Sequence, residues 1–156
     1  MTERRNSRRA FLGGIAGVGA SAAMSSSASA QSSFQVNDPN VVQEIEGLFA
    51  NYDLALRSND VAALNGYFLD SPFTVRFGNA KNLYGIAEIG AYRASVSTGP
   101  DVVREHTVIT TYGNDVATVA ARSRAVAGRV GRTMQTWVRF PQGWRIVAAH
   151  VSTIDE

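Results

Sequence analysis

The sequence predicts an α+β domain preceded by an export segment, and three observations carry that reading. Apolar residues at helical spacing fill the first part of the domain. Four long extended segments separated by short turns fill its last third. The first thirty residues have the make-up of a signal peptide.

Ser7-Arg8-Arg9-Ala10-Phe11-Leu12 is a twin-arginine pattern. A Gly- and Ala-rich apolar run follows from Phe11 to about Ala23, and Ala28-Ser29-Ala30 is an A-x-A cleavage signal. The run is too short and too rich in glycine to span a membrane stably. Residues 1–30 are therefore expected to be a removable twin-arginine signal peptide, 31–37 a polar tether and 38–156 a single domain, periplasmic or secreted. An ordinary Sec signal would lead to the same compartment.

Removal of residues 1–30 leaves 126 residues, one domain's worth, able to hide roughly two-thirds of its unfolded surface. Four arginines fall in the head, so the remainder carries 11 basic and 12 acidic residues. That balance offers nothing to nucleic acid or to an anionic membrane surface. Ten of the 11 basic residues are arginine; Lys81 is the exception. A guanidinium holds a carboxylate through two parallel hydrogen bonds, which suits anion recognition, although a GC-rich genome yields the same bias. Without cysteine the chain has no disulfide, no thiol chemistry and no cysteine-ligated metal.

Asp38-Pro39 opens a first helix, with Asp as N-cap and Pro at the first helical position. Val41, Ile45, Leu48, Phe49, Tyr52 and Leu56 recur on one face of it. Ser58-Asn59-Asp60 breaks that helix and caps a short second one, from Val61 to about Phe68. Phe73-Thr74-Val75-Arg76-Phe77 alternates as a strand, Asn82–Gly85 reads as a second extended piece, and Ile86 to about Ser97 as a third helix. Val102–Thr111, Val116–Val126, Val130–Phe140 and Trp144–Thr153 then form an antiparallel meander. Helices first and a meander last mark α+β rather than alternating β-α-β.

Motif chemistry is sparse. There is no phosphate loop, no G-x-G-x-x-G, no G-x-S-x-G and no H-E-x-x-H. His106 and His150 have no Cys or His partner at ligand spacing, so no metal site is expected. Tyr52, on the apolar stripe of the first helix, reads either as a core tyrosine or as a group facing a cavity. Arg76 faces opposite to the aromatics of its strand, toward solvent or toward a cavity, and Arg93 on the third helix is open in the same way. Strict alternation puts Thr133, Gln135 and Trp137 on one side of their strand, and Trp144, Ile146, Ala148, His150 and Ser152 on one side of the next. Gln135 and His150 could orient a small polar ligand there, or satisfy neighbouring backbone groups.

The order helix, helix, short hairpin, helix, four strands resembles the cone-shaped fold of ketosteroid isomerase, SnoaL-like cyclases and nuclear transport factor 2. The ending Gly143-Trp144-Arg145-Ile146 through His150-Val151-Ser152 looks like the G-W-[KR]-I…H-x-S strand of that superfamily. Thr74–Gly78, Asn82–Gly85, Val108–Gly113 and Gln135–Arg139 running into Gly143–Ser152 further resemble the AtzH-like family, relatives of the oxalurate-catabolism protein. That resemblance implies a decarboxylating amidohydrolase of a small urea-like dicarboxylate, 1,3-dicarboxyurea, with no metal or organic cofactor. It places the family's proposed catalytic tyrosine and arginine on Tyr52 and Arg76. An adjacent guanidinium favours a phenolate, so such a pair supplies a proton-transfer group beside a fixed cation.

The sequence thus leads to an exported α+β cone, dimeric through its sheet, acting on a small carboxylated urea or amide without a cofactor. Tyr52 and Arg76 are its expected catalytic residues, with Gln135, His150 and Arg93 against the substrate. A non-catalytic periplasmic ligand-binding or accessory module is the alternative. Isomerase or cyclase chemistry is a third possibility; it requires an acidic residue deep in the pocket, where Asp53 and Asp70 look badly placed. Protein purified from the periplasm is expected to begin at Gln31 and to sediment as a dimer, and Arg8→Lys with Arg9→Lys to block export. N-terminal sequencing that finds the head retained, or sedimentation at the mass of one protomer, contradicts the corresponding claim.

Overall fold

The structure, a computed structural model, describes residues 35–125 and 129–155. The expected signal peptide and residues 31–34 of the tether lie outside the described residues. Helix α1 spans Pro39–Ser58. Its start follows from Asp38, whose carboxylate accepts from the backbone N–H groups of Asn40 (2.9 Å) and Val41 (3.4 Å). Its end follows from Asn59, in the left-handed conformation at φ 52°. Asp60 then caps α2, Val61–Tyr67, through the N–H of Ala63.

A short antiparallel hairpin follows, β1 (Val75–Phe77) and β2 (Asn82–Tyr84), then α3 (Gly85–Ser95). Four long strands complete the domain: β3 (Val102–Tyr112), β4 (Val116–Ala125), β5 (Val130–Phe140) and β6 (Gly143–Ile154). β1 is shorter than the expected strand from Phe73. A turn takes that backbone instead, with Thr74 N–H donating to Ser71 O and Thr74 Oγ1 to Leu69 O, and Phe73 projects into solvent. α3 stops at Ser95 rather than Ser97, because Val96 leaves the helical conformation and its carbonyl accepts from Asn59 Nδ2 at 2.8 Å.

The six strands form one sheet in the order β2-β1-β6-β5-β4-β3. The meander is antiparallel as expected, while β1 joins β6 in parallel, with Arg76 opposite Ala149. Two irregularities in register decide which side chains face inward. Arg104 pairs with Ser123 and His106 with Arg122, so Glu105 is an extra residue in β3. Thr136 pairs with Ala148 and Trp137 with Ile146, so Val147 is an extra residue in β6. Each bulge reverses the alternation beyond it.

The helices cover one face of the sheet. Ile45, Phe49, Leu64, Ile89, Trp137 and Ile146 are among the buried side chains of the shared core. Phe49 stacks near Tyr52, Tyr52 meets Tyr67 edge-on, and Tyr67 meets Trp137 in the same way. This aromatic series braces α1 against the sheet and fixes the ring of Tyr52. The opposite face exposes Phe77, Tyr84, Val108 and Met134.

Two details complete the outline. The end of the tether is held against the sheet: Val36 bridges to Tyr112, and Asn37 N–H donates to Thr111 O at 3.0 Å. The segment before β3 also approaches α1 very closely at Gly99. A Cβ there would overlap the carbonyl oxygens of Leu56 and Arg57, so only glycine lets this loop lie over the end of the helix.

Candidate functional site

Between the end of α1, α3, β1 and the inner face of the long strands lies a cavity of about 410 Å³. That is room for a small ligand. Tyr52, Arg76 and Arg93 all line it, together with Tyr92, Arg104 and Thr133. Each is placed by an identifiable local cause.

Tyr52 belongs to the buried stripe of α1 and is only 3% exposed. Arg76 is the central residue of β1, 7% exposed, and its guanidinium lies over the Tyr92 ring, 4.9 Å from the centroid. Gly78 gives that guanidinium room, since a Cβ there would stand 3.0 Å from Arg76 Nη1. Arg93, in the last turn of α3, is 6% exposed and donates from Nη2 to the Tyr52 hydroxyl oxygen at 3.0 Å.

Of the two other arginines that line the wall, Arg132 is exposed and donates to Ser152 Oγ at 3.2 Å, and Arg104 is in a different state. Arg104 donates from Nε and Nη2 to both carboxylate oxygens of Asp53, at 2.9 and 2.7 Å, and from Nη1 to Thr133 Oγ1 at 3.2 Å. Its charge is paired, and each of its three nitrogens donates a hydrogen bond. Arg76 and Arg93 have no carboxylate partner among the described residues, and the Nε of each is buried without a hydrogen bond. Burial pushes the Arg76 guanidinium below its ordinary pKa. The Arg93 charge pushes it the same way, while Tyr52 and Tyr92 act against both. Arginine nevertheless keeps its proton in proteins, so the two like charges are held partly dehydrated beside one another. An anion in the cavity would relieve both the repulsion and the missing hydrogen bonds.

The structure therefore brings together three of the five sequence candidates. Tyr52 and Arg76 share the cavity as expected, but the guanidinium bonded to the phenol is that of Arg93. Gln135 faces inward yet does not line the cavity: it is 1% exposed, and its Oε1 accepts from Trp137 Nε1 at 3.0 Å. Its carboxamide lies in the core, with Nε2 buried and without a hydrogen bond. His150 is on the wrong face. The extra residue Val147 reverses the alternation of β6, so Ala149 and Val151 turn inward while His150 is exposed beside Met134 on the outer face. Asp53 is committed to Arg104 and is not an available base.

Sequence reasoning missed Tyr92 and Arg104. Tyr92 adjoins Arg93 and was findable on that ground. Arg104 was not, because only the bulge at Glu105 turns it toward the helices.

Residues 34–156 match the AtzH-like family. The chain belongs to the AtzH-like family. It is 44% identical to a protein of unknown function from the DUF3225 family of Pectobacterium atrosepticum, with a TM-score of 0.74 over 77% of this chain and 95% of that one. It is 41% identical to a cystatin-like fold protein of Burkholderia xenovorans, with a TM-score of 0.76 over 79% of this chain and 98% of that one. A nuclear transport factor 2-like superfamily protein of Salmonella enterica is 22% identical, with a TM-score of 0.62 over 75% of this chain and 93% of that one, and shares the fold. No curated protein matches the sequence. The AtzH-like domain here is thus an α+β cone of the nuclear transport factor 2 type.

The Asp53–Arg104 pair ties α1 to β3 at the cavity wall, and its energy is open to measurement. Asp53→Leu leaves a largely buried guanidinium without a partner and is expected to cost about 3–5 kcal/mol. Adding Arg104→Met is expected to restore most of that loss. Urea denaturation of the two variants checks this; a single variant as stable as the wild type shows that the pair is solvated and structurally idle.

Proposed function

We propose that this AtzH-like domain is an exported, dimeric, cofactor-free enzyme that hydrolyses or decarboxylates a small carboxylated urea or amide of the 1,3-dicarboxyurea kind. The observation that carries the reading is the pair of guanidiniums without carboxylate partners, Arg76 and Arg93, around a tyrosine hydroxyl in one small cavity. A compact planar anion satisfies the vacant donors. An uncharged apolar ligand would leave them dehydrated, at a cost of several kcal/mol. The family match supports the same chemistry at Tyr52 and Arg76.

In this reading Arg76 holds a carboxylate of the substrate, and Tyr52 delivers a proton to the nitrogen of the scissile C–N bond. The bond breaks with its electron pair on nitrogen. From an N-carboxylate the departing carbon is released as carbon dioxide and a solvent proton restores the phenol; from an amide, water adds to the carbonyl carbon, the acyl group leaves as the carboxylic acid, and the proton that water gives up restores the phenol. Stabilising the charge left on the phenol oxygen is work for a nearby fixed cation. Isomerase chemistry lacks support here, because the one carboxylate adjoining Tyr52 is held by Arg104.

The test is turnover of a panel of carboxylated ureas and amides by purified residues 31–156 without added metal. Tyr52→Phe is expected to abolish turnover and keep binding, since it deletes only the hydroxyl. Arg76→Ala is expected to weaken both, since the anion loses its partner. Binding without turnover across the panel assigns the domain to a ligand-holding role instead, and full activity in Tyr52→Phe removes the catalytic assignment.

A further inference from the structure

We propose that Arg93 is the positioning residue that makes Tyr52 the proton donor of the cavity, separate in role from the anion-holding Arg76. The inference rests on the proton-transfer reading of the site. A phenol oxygen can donate one hydrogen bond and accept others, whereas a guanidinium can only donate. Arg93 Nη2, 3.0 Å from Tyr52 Oη, therefore occupies a lone pair and leaves the phenolic proton unused. Among the described residues nothing accepts that proton. Tyr52 lines the cavity, so the proton is directed to where a ligand would sit.

The same contact serves the state after transfer. Negative charge left on Oη forms on an atom that already accepts a hydrogen bond from a cation, and such bonds are the stronger kind. Arg76 is placed for another task, over the Tyr92 ring and without a hydrogen bond to Tyr52. The position of Arg93 is itself held. Its carbonyl accepts from Val96 N–H at 3.2 Å, and Asn59 at the end of α1 donates to Val96 O at 2.8 Å. The last turn of α3 is thus tied to the helix that carries Tyr52.

Two measurements separate this role from a merely structural one. The first is the 13Cζ resonance of Tyr52 in protein labelled at its five tyrosines, assigned by loss of the signal in Tyr52→Phe. Arg93→Gln is expected to move that resonance. Arg93→Lys, which keeps a cationic donor, is expected to leave it nearer the wild-type position, and malonate is expected to shift it in the wild type. An amide correlation spectrum confirms that each variant is folded; should Arg93→Gln not fold, Arg93→Lys against wild type carries the comparison. A Tyr52 resonance indifferent to the residue at 93 overturns the proposal.

The second is kinetic, on any compound that the wild type turns over. Arg93→Gln is expected to lower kcat by about ten- to a hundredfold with little change in KM, the loss expected for a hydrogen bond to a charge-bearing atom. Arg93→Lys is expected to recover part of that loss. A rise in KM alone, as for a simple anion contact, also overturns it. If the wild type turns over nothing, the functional reading fails while the resonance of Tyr52 still decides the role of Arg93.

Discussion

Two guanidinium groups held out of water, close enough to repel and without a carboxylate to share among the described residues, are the constraint around which this domain is arranged. Dehydrated like charges cost folding free energy, and marginal stability leaves little margin for such sites unless the rest of the structure over-determines them. The over-determination is visible. Arg76 rests on an aromatic ring and sits in a strand locked between β2 and β6. Arg93 is joined to Tyr52, whose ring belongs to an aromatic series reaching Trp137 in the sheet. Arg104, a third cation of the wall, is paired with Asp53, and the exposed Arg132 donates to Ser152 Oγ, so the buried cations without a carboxylate among the described residues are Arg76 and Arg93.

The bulges at Glu105 and Val147 matter as much as the helices. Each is a single extra residue, yet each reverses the face shown by everything beyond it in its strand. The first brings Arg104 to the cavity wall. The second lines the wall with Val151 and sends His150 to the outer face. Part of the cavity lining is thus set by residues inserted into strands rather than by residue type alone.

Much of this was legible beforehand, for reasons that can be named. Asp38-Pro39, Asn59 and Asp60 signal helix ends through local backbone chemistry, which is present in the sequence itself, and the observed helix boundaries follow them. The meander was legible because its turns are strong and its strands long. Tyr52 was legible as an inward residue because helical spacing survives folding unchanged. His150 was not, because strand alternation holds only while register is unbroken, and nothing local announces that Val147 is unpaired. Gln135 was assigned to the correct face at the wrong depth, since periodicity gives direction and not distance from the cavity. Arg93 was ambiguous until α3 was docked by Asn59, a contact 37 residues apart in the chain.

The function proposed for the cavity rests on one physical claim, that a small anion satisfies its buried guanidinium donors. The direct measurement is calorimetric titration of the purified domain with malonate and with malonamide, which match in size and differ in charge. Malonate is expected to bind with an affinity that falls as salt is added, and malonamide to give no measurable heat. Equal binding of the two, or tighter binding of the uncharged amide, would show that the guanidinium of Arg76 is not what the cavity presents to its ligand.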